Sequence, residues 1–326
     1  MAASFATVSL EPDVAVTLAA LPARAGVGQL VGTDGRNLII GRAANLRRWA
    51  GGHLGQGRPP AKGRRPRTDL RPVAREVRWA ATTSAFHQRL VYERLMSEHV
   101  RPEARRDLKP PAYVHLDPED RFPRLSVRGP DADPRHLFGP FRDRRAAARA
   151  VDALHKLVPL RPCDYTFEPA PDLALGLGCI YAQVRTCSAP CLVRVSEEEY
   201  RALAARAADF LGRPETRPPE AAAWAAAWVA AVAGSRGLVV ERVRDRIELY
   251  PVREGAVLEE AALTTSLAGA EEAVKRLRWP EADPARDDRR WLSAWLHAPR
   301  RAGTYLVVSE GEGAPELSRR VSAVTA

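Results

Sequence analysis

A chain of 326 residues, 45% hydrophobic and 28% charged, has the composition of a soluble globular protein and the length for two or three compact units. The apolar stretch AAAWAAAWVAAVAG (221–234) is too short to cross a bilayer. The opening MAASFATVSLEPDVAVTLAALPA has no basic leader, so neither a membrane span nor a signal peptide is expected, and a cytoplasmic chain is the default. Net charge is +10, yet eleven Arg/Lys against Asp69 and Glu76 give the segment Arg42–Arg78 a local +9, leaving 39 basic and 38 acidic residues elsewhere. Clustered positive charge on an otherwise balanced chain points to a polyanion, most simply DNA, with Arg42, Arg47, Arg48, Arg64, Arg65 and Arg67 as candidate phosphate contacts. The alternative is a solvated loop, because GGHLGQGRPPAKGRRPR is rich in Gly and Pro.

In chain order, GQLVGTDGRNLIIG predicts two short strands around a turn at Asp34-Gly35, with Gly41 allowing a tight exit. A helix then starts in RAANLRRWA, and SAFHQRLVYERLMSEHVRP predicts another that uses Leu90 and Leu95 on its apolar positions. HLDPEDRFPRLSVR (115–128) contains a strand, with Asp117, Glu119 and Asp120 as turn residues. In DRRAAARAVDALHKL, Asp143 can cap a helix whose stripe is Ala147, Ala150, Val151, Leu154 and Leu157. SEEEYRALAARAADFLG carries a Ser196/Glu199 capping box and stops at Gly212; Tyr200, Leu203, Ala204, Ala207, Phe210 and Leu211 form its buried face. Beyond a Pro-rich linker, AAAWAAAWVAAVA predicts an apolar helix with Trp224 and Trp228 on one face, and LVVERVRDRIELYPV (238–252) a hairpin. EEAVKRLRW and DDRRWLSAWLHA predict helices, and GTYLVVSE (303–310) a strand. Trp291 and Trp295, beside Arg289, Arg290, Arg300 and Arg301, suit a core or a base-stacking surface.

All four cysteines, Cys163, Cys179, Cys187 and Cys191, fall within 29 residues. Structural disulfides are not expected in a reducing compartment, and four thiolates converging on one point suit a soft metal centre. Only Cys187 to Cys191 has the close spacing of a zinc knuckle; spacing alone leaves zinc and an iron–sulfur cluster equally open.

The run FGPFRDRRAAARAVDALHKLVPLRPC, then Cys179, RTCSAPC and VSEEEYRALAARAADFLG, resembles the region after the nuclease domain in UvrC, the excision-repair endonuclease subunit. The resemblance covers Phe138 to Gly212 and implies a 4Fe–4S cluster on Cys163, Cys179, Cys187 and Cys191, with zinc as the alternative. LPARAGVGQLVGTDGRNLIIGRAANLRRW (21–49) looks like the opening of that family's GIY-YIG nuclease domain. Carried over residue by residue, the resemblance places the family's metal-binding glutamate at Glu93 and a phosphate-contacting cation at Arg42, while its two tyrosines fall on Gly28 and Ile39 and its arginine on Trp49. Neither glycine nor isoleucine can hold a water or carry a proton. It therefore implies a UvrC-like, nucleotide-excision-repair type protein that binds DNA and other repair subunits, with incision doubtful. The rivals are an active Mg- or Mn-dependent DNA endonuclease around Glu93, and a non-catalytic iron–sulfur scaffold or redox sensor. The expected fold is α/β (α+β): a small GIY-YIG-like sheet with flanking helices (15–110), a helical cysteine-rich region (111–212) and a small α/β C-terminal domain of unknown role (220–326).

Overall fold

A computed structural model of the chain describes residues 4–56, 68–101, 104–105, 108–129, 136–174, 179–212, 230–231, 235–283, 286–299, 301–309 and 311–326. Arg64, Arg65, Arg67, Trp224, Trp228 and Arg300 lie outside these residues. The described residues combine helices with three antiparallel sheets, as an α/β (α+β) chain should.

The first sheet has the order β1 (Ala6–Ser9), β4 (Ala74–Ala81), β2 (Gly26–Gly32), β3 (Asn37–Ala43). Asp34-Gly35 makes the hairpin turn as expected: Gly35 sits at φ 78°, where a side chain would be strained, and donates to the Gly32 carbonyl at 2.9 Å. Central strand β2 is buried on both faces, and its alternation splits the packing. Leu30 and Ile39 turn toward helix α2 (Leu46–His53), beside α1 (Val14–Ala20), whereas Val27 and Ile40 turn toward α3 (Ala85–His99). Asn45 and Ser84 cap α2 and α3, accepting from Arg48 N and His87 N at 2.9 and 3.0 Å.

The second sheet, ordered β6 (Ser126–Arg128), β5 (Ala112–His115), β7 (Leu137–Phe141), β8 (Ala230–Ala231), carries α4 (Arg144–Leu157) on one face. Of the apolar segment expected as a helix, only Ala230 and Ala231 are described, and their backbone pairs with the edge of β7; the rest lies outside the described residues. Helix α4 and α6 (Glu197–Gly212) share one core, in which Leu154, Ala207 and Leu211 are fully buried. The capping box forms: Ser196 N donates to Glu199 Oε2 at 2.8 Å, and Glu199 N to Ser196 Oγ at 3.2 Å. Tyr200 locks the bundle, its hydroxyl donating to the Pro123 carbonyl (2.9 Å) and accepting from Arg161 N (2.8 Å).

The third sheet runs β11 (Ala256–Val257), β10 (Arg246–Arg253), β9 (Arg236–Val243), β13 (Thr304–Val308), with β12 (Leu263–Ser266) also on β10. One face packs α7 (Ala270–Arg276) and α9 (Ala314–Thr325); the other packs α8 (Arg289–Leu296). That second face also receives Phe86 and Leu90 of α3, so α3 is buried from two sides. Glu241 of β9 accepts from Ala85 N and Phe86 N (3.1 and 2.8 Å), satisfying the first turn of α3 from across the interface. Trp291 and Trp295 are 3% and 8% exposed against Phe86, which settles them as core residues rather than a base-stacking surface.

Candidate functional site

Two regions carry the residues singled out by sequence. In the first sheet, a Cβ placed on Gly28 would lie 2.3 Å from Cζ3 of Trp49, and one on Gly41 2.8 Å from its Nε1. The indole of α2 therefore lies directly on the bare backbone of the paired residues Gly28 and Gly41. Gly41 is glycine because a ring presses on it; β3 continues past it to Ala43 instead of turning out. The positions matched to the family's first tyrosine and its arginine do meet in space, but as a glycine and the tryptophan that fills its void. Trp49 is almost buried and contacts His53 edge-on, ring centroids 5.3 Å apart.

Arg42 lies on the other face of the sheet. Its guanidinium stacks over Tyr92 of α3, 5.5 Å from the ring centre, and Arg105 stacks on the same ring at 5.8 Å. Glu93 is 4% exposed and turned inward. Arg105 donates to both of its oxygens (2.9 and 3.4 Å), and Arg89, one helical turn earlier, lies 2.6 Å from Oε1. Two guanidiniums thus neutralise the carboxylate that sequence assigned to a metal. The Arg89/Glu93 pair was legible as an i,i+4 spacing; Arg105, outside any periodic element, was not. Arg47 spends its donors on the Leu21 and Ala19 carbonyls (3.0 and 3.2 Å), at the end of α1. Arg48 is exposed and holds no ion pair among the described residues.

The second region is the loop between α4 and α6. Cys163 follows the end of α4, Cys179 precedes the short helix α5 (Ile180–Gln183), and Cys187 and Cys191 lie in the turns that lead to α6. Cys187 and Cys191 are buried and the other two half-buried. Burial pushes the Cys187 thiol up to about 11, and the nearby Cys163, Cys179 and Cys191 thiols add to the rise. Ala189 N–H donates to Cys187 Sγ at 3.3 Å. Ala189 and Val193 both take left-handed φ of 57°, uncommon for any side chain and a true outlier for a β-branched one. These turns are tied to the scaffold by Ser188 N to the Pro159 carbonyl (2.8 Å) and Ala170 N to the Cys191 carbonyl (3.0 Å). Among the described residues, no three sulfurs lie within 4.8 Å of one another. Asp117, Glu119 and His136 do cluster within that distance, at the surface. Asp117 there serves as the turn residue expected, accepting from Glu119 N at 2.9 Å.

The described residues thus join a hairpin sheet to a four-cysteine loop held between two helices. Comparison places it: the chain is UvrC-like, and residues 112–210 match the family described as the UvrC/Cho excinuclease, middle domain. UvrABC system protein C of Sphingopyxis alaskensis is 32% identical over 195 residues, 59% of this chain and 29% of that protein. The same-named protein of Geobacter sp. strain M21 is 31% identical over 196 residues, 58% of this chain and 29% of that one. That of Legionella pneumophila is 24% identical over 276 residues, 82% and 40% respectively. The chain thus spans less than half the length of these relatives. No solved structure matches it. No helix among the described residues is long and apolar enough to cross a membrane.

Proposed function

We propose that this chain is a DNA-binding protein of the nucleotide-excision-repair type, working beside other repair subunits, in which a GIY-YIG-like domain no longer cuts. The observation that carries the reading is Trp49 lying on Gly28 and Gly41. A nuclease of that kind needs a phenol to activate water, a cation at the phosphate and a carboxylate on a divalent metal. Here the phenol position is occupied by indole, and the carboxylate of Glu93 is spent on Arg89 and Arg105. Removing one comparable transition-state contact costs ~100- to 1000-fold, so losing both the phenol and the metal-binding carboxylate leaves little rate by this route.

Cys163, Cys179, Cys187 and Cys191 would hold a 4Fe–4S cluster. When bound, the cluster would cross-link the α4–α6 loop and supply a one-electron couple. The protein's own part is to gather the thiols, direct the Ala189 N–H at Cys187 and keep that side of the loop dry. Binding to DNA is supported by the local +9 of the segment Arg42–Arg78, in which Arg48 is exposed with no ion pair among the described residues. Single-turnover nicking of damaged duplex with Mg²⁺ or Mn²⁺ tests the reading. No product is expected, and nicking that disappears in Glu93→Ala would establish the active alternative.

A further inference from the structure

The outward face of α4 has no assigned role. Ala147, Ala150 and Leu154 point into the core. On the opposite side, Arg142 just before the helix and Arg144, Arg145 and Arg149 within it are exposed, and none shares an ion pair among the described residues. Asp143, the acid in their midst, is committed to Ala146 N at 2.8 Å. The next acid along the helix is Asp152, so Arg142 and the first two turns together set four guanidiniums against the one occupied carboxylate of the cap. The patch continues into a groove of about 510 Å³ between the start of α4 and the end of α8, where Lys109 and Arg142 face His297. His297 Nε2 donates to the Pro140 carbonyl at 3.0 Å, which fixes the groove wall. Burial disfavours the protonated form of His297; the Pro140 carbonyl and Asp143 oppose this, while Arg142 and Arg301 add to it.

From Arg142 to Arg149 the rise is about 10 Å, which matches roughly three phosphates of one strand at ~3.4 Å each. Guanidinium forks are suited to phosphate oxygens, and unpaired ones need break no internal contact to reach them. We propose that this arginine face, continued by Lys109 along the α8 groove, binds the DNA phosphate backbone, as a contact separate from the Arg42–Arg78 segment. The proposal rests on the DNA-binding reading above.

The test is duplex binding by the full chain across a salt series, comparing wild type with R142Q/R145Q/R149Q. A matched control, R244Q/R246Q/R276Q, removes the same charge from exposed positions of the C-terminal sheet and α7. Far-UV circular dichroism and melting check that each variant is folded, and R145Q alone serves should the triple variant fail. Each phosphate contact contributes ~0.9 to the log–log slope, so the triple variant should flatten it by ~2.7, R145Q by ~0.9, and the control by much less. A wild type that binds with a steep slope left unchanged in the α4 variants overturns this contact while sparing the DNA-binding reading. Equal flattening in the control also overturns it, as mere loss of net charge. No salt-dependent binding by wild type sinks both.

Discussion

The filled pocket makes a quantitative claim about Gly28 and Trp49. Gly28→Ala forces a methyl to within 2.3–2.8 Å of three indole carbons, in a strand paired on both sides, so the ring must move. Overpacking of this kind costs ~1–3 kcal/mol. Trp49→Ala removes a nearly buried side chain from the core of Leu30, Leu46 and Val77 and should cost ~3–5 kcal/mol. In the double variant, the new methyl occupies space the indole has left, and its clash disappears. The pair should therefore cost ~1–3 kcal/mol less than the sum of the single changes. Urea unfolding followed by far-UV circular dichroism measures the cycle. Additivity to within ~0.5 kcal/mol would refute the idea that the tryptophan plugs the glycine void.

Three further outcomes are expected. Glu93→Gln leaves Arg105 and Arg89 buried side by side without their carboxylate and should destabilise by roughly 3 kcal/mol; a loss under ~1 kcal/mol in the same unfolding assay would contradict the buried triad. Burial lowers the pKa of His155, and likewise of His87 and His297. The fold then binds fewer protons than the unfolded chain just below pH ~6.5, so the stability these groups contribute is full above that range and lost as pH falls through it. His155→Gln should flatten the fall in melting temperature between pH 7.5 and 5.5; an unchanged slope would show that His155 plays no part. Finally, Cys191→Ser should lower both bound metal and the melting temperature of the cysteine-loop region, and a variant that keeps its full metal content would exclude Cys191 as a ligand.

What the sequence revealed was chiefly what local rules control. The Asp34-Gly35 turn, the Ser196/Glu199 box, the Asp143 cap and the stripes of α4 and α6 each depend on neighbours within four residues, and each appears where its spacing demands. Helix α9 went unread because APELSRRVSAVT shows only Leu317, Val321 and Val324 as strong apolar marks, and Val324 proves to be exposed. Long-range partnerships were invisible: Glu241 capping α3 from 155 residues away, and Asp288 gripping Arg94 across the same interface. The departures at Gly28 and Ile39 from the pattern the chain resembles could be read from the letters. That Trp49 had closed over the gap could not, since it depends on a helix lying flat against two glycines. The arginines of α4 were hidden for a different reason. The excess of arginine at 142–149 is present in the letters, but only the fold shows that it lies on the exposed side of α4.

The central claim is that four sulfurs surround one iron–sulfur core. Anaerobic purification followed by iron, sulfide and zinc analysis with an absorption spectrum tests it most directly. The expected result is about four iron and four sulfide per chain with broad visible absorption that bleaches on reduction. About one zinc per chain, or thiols that bind no metal at all, would contradict it.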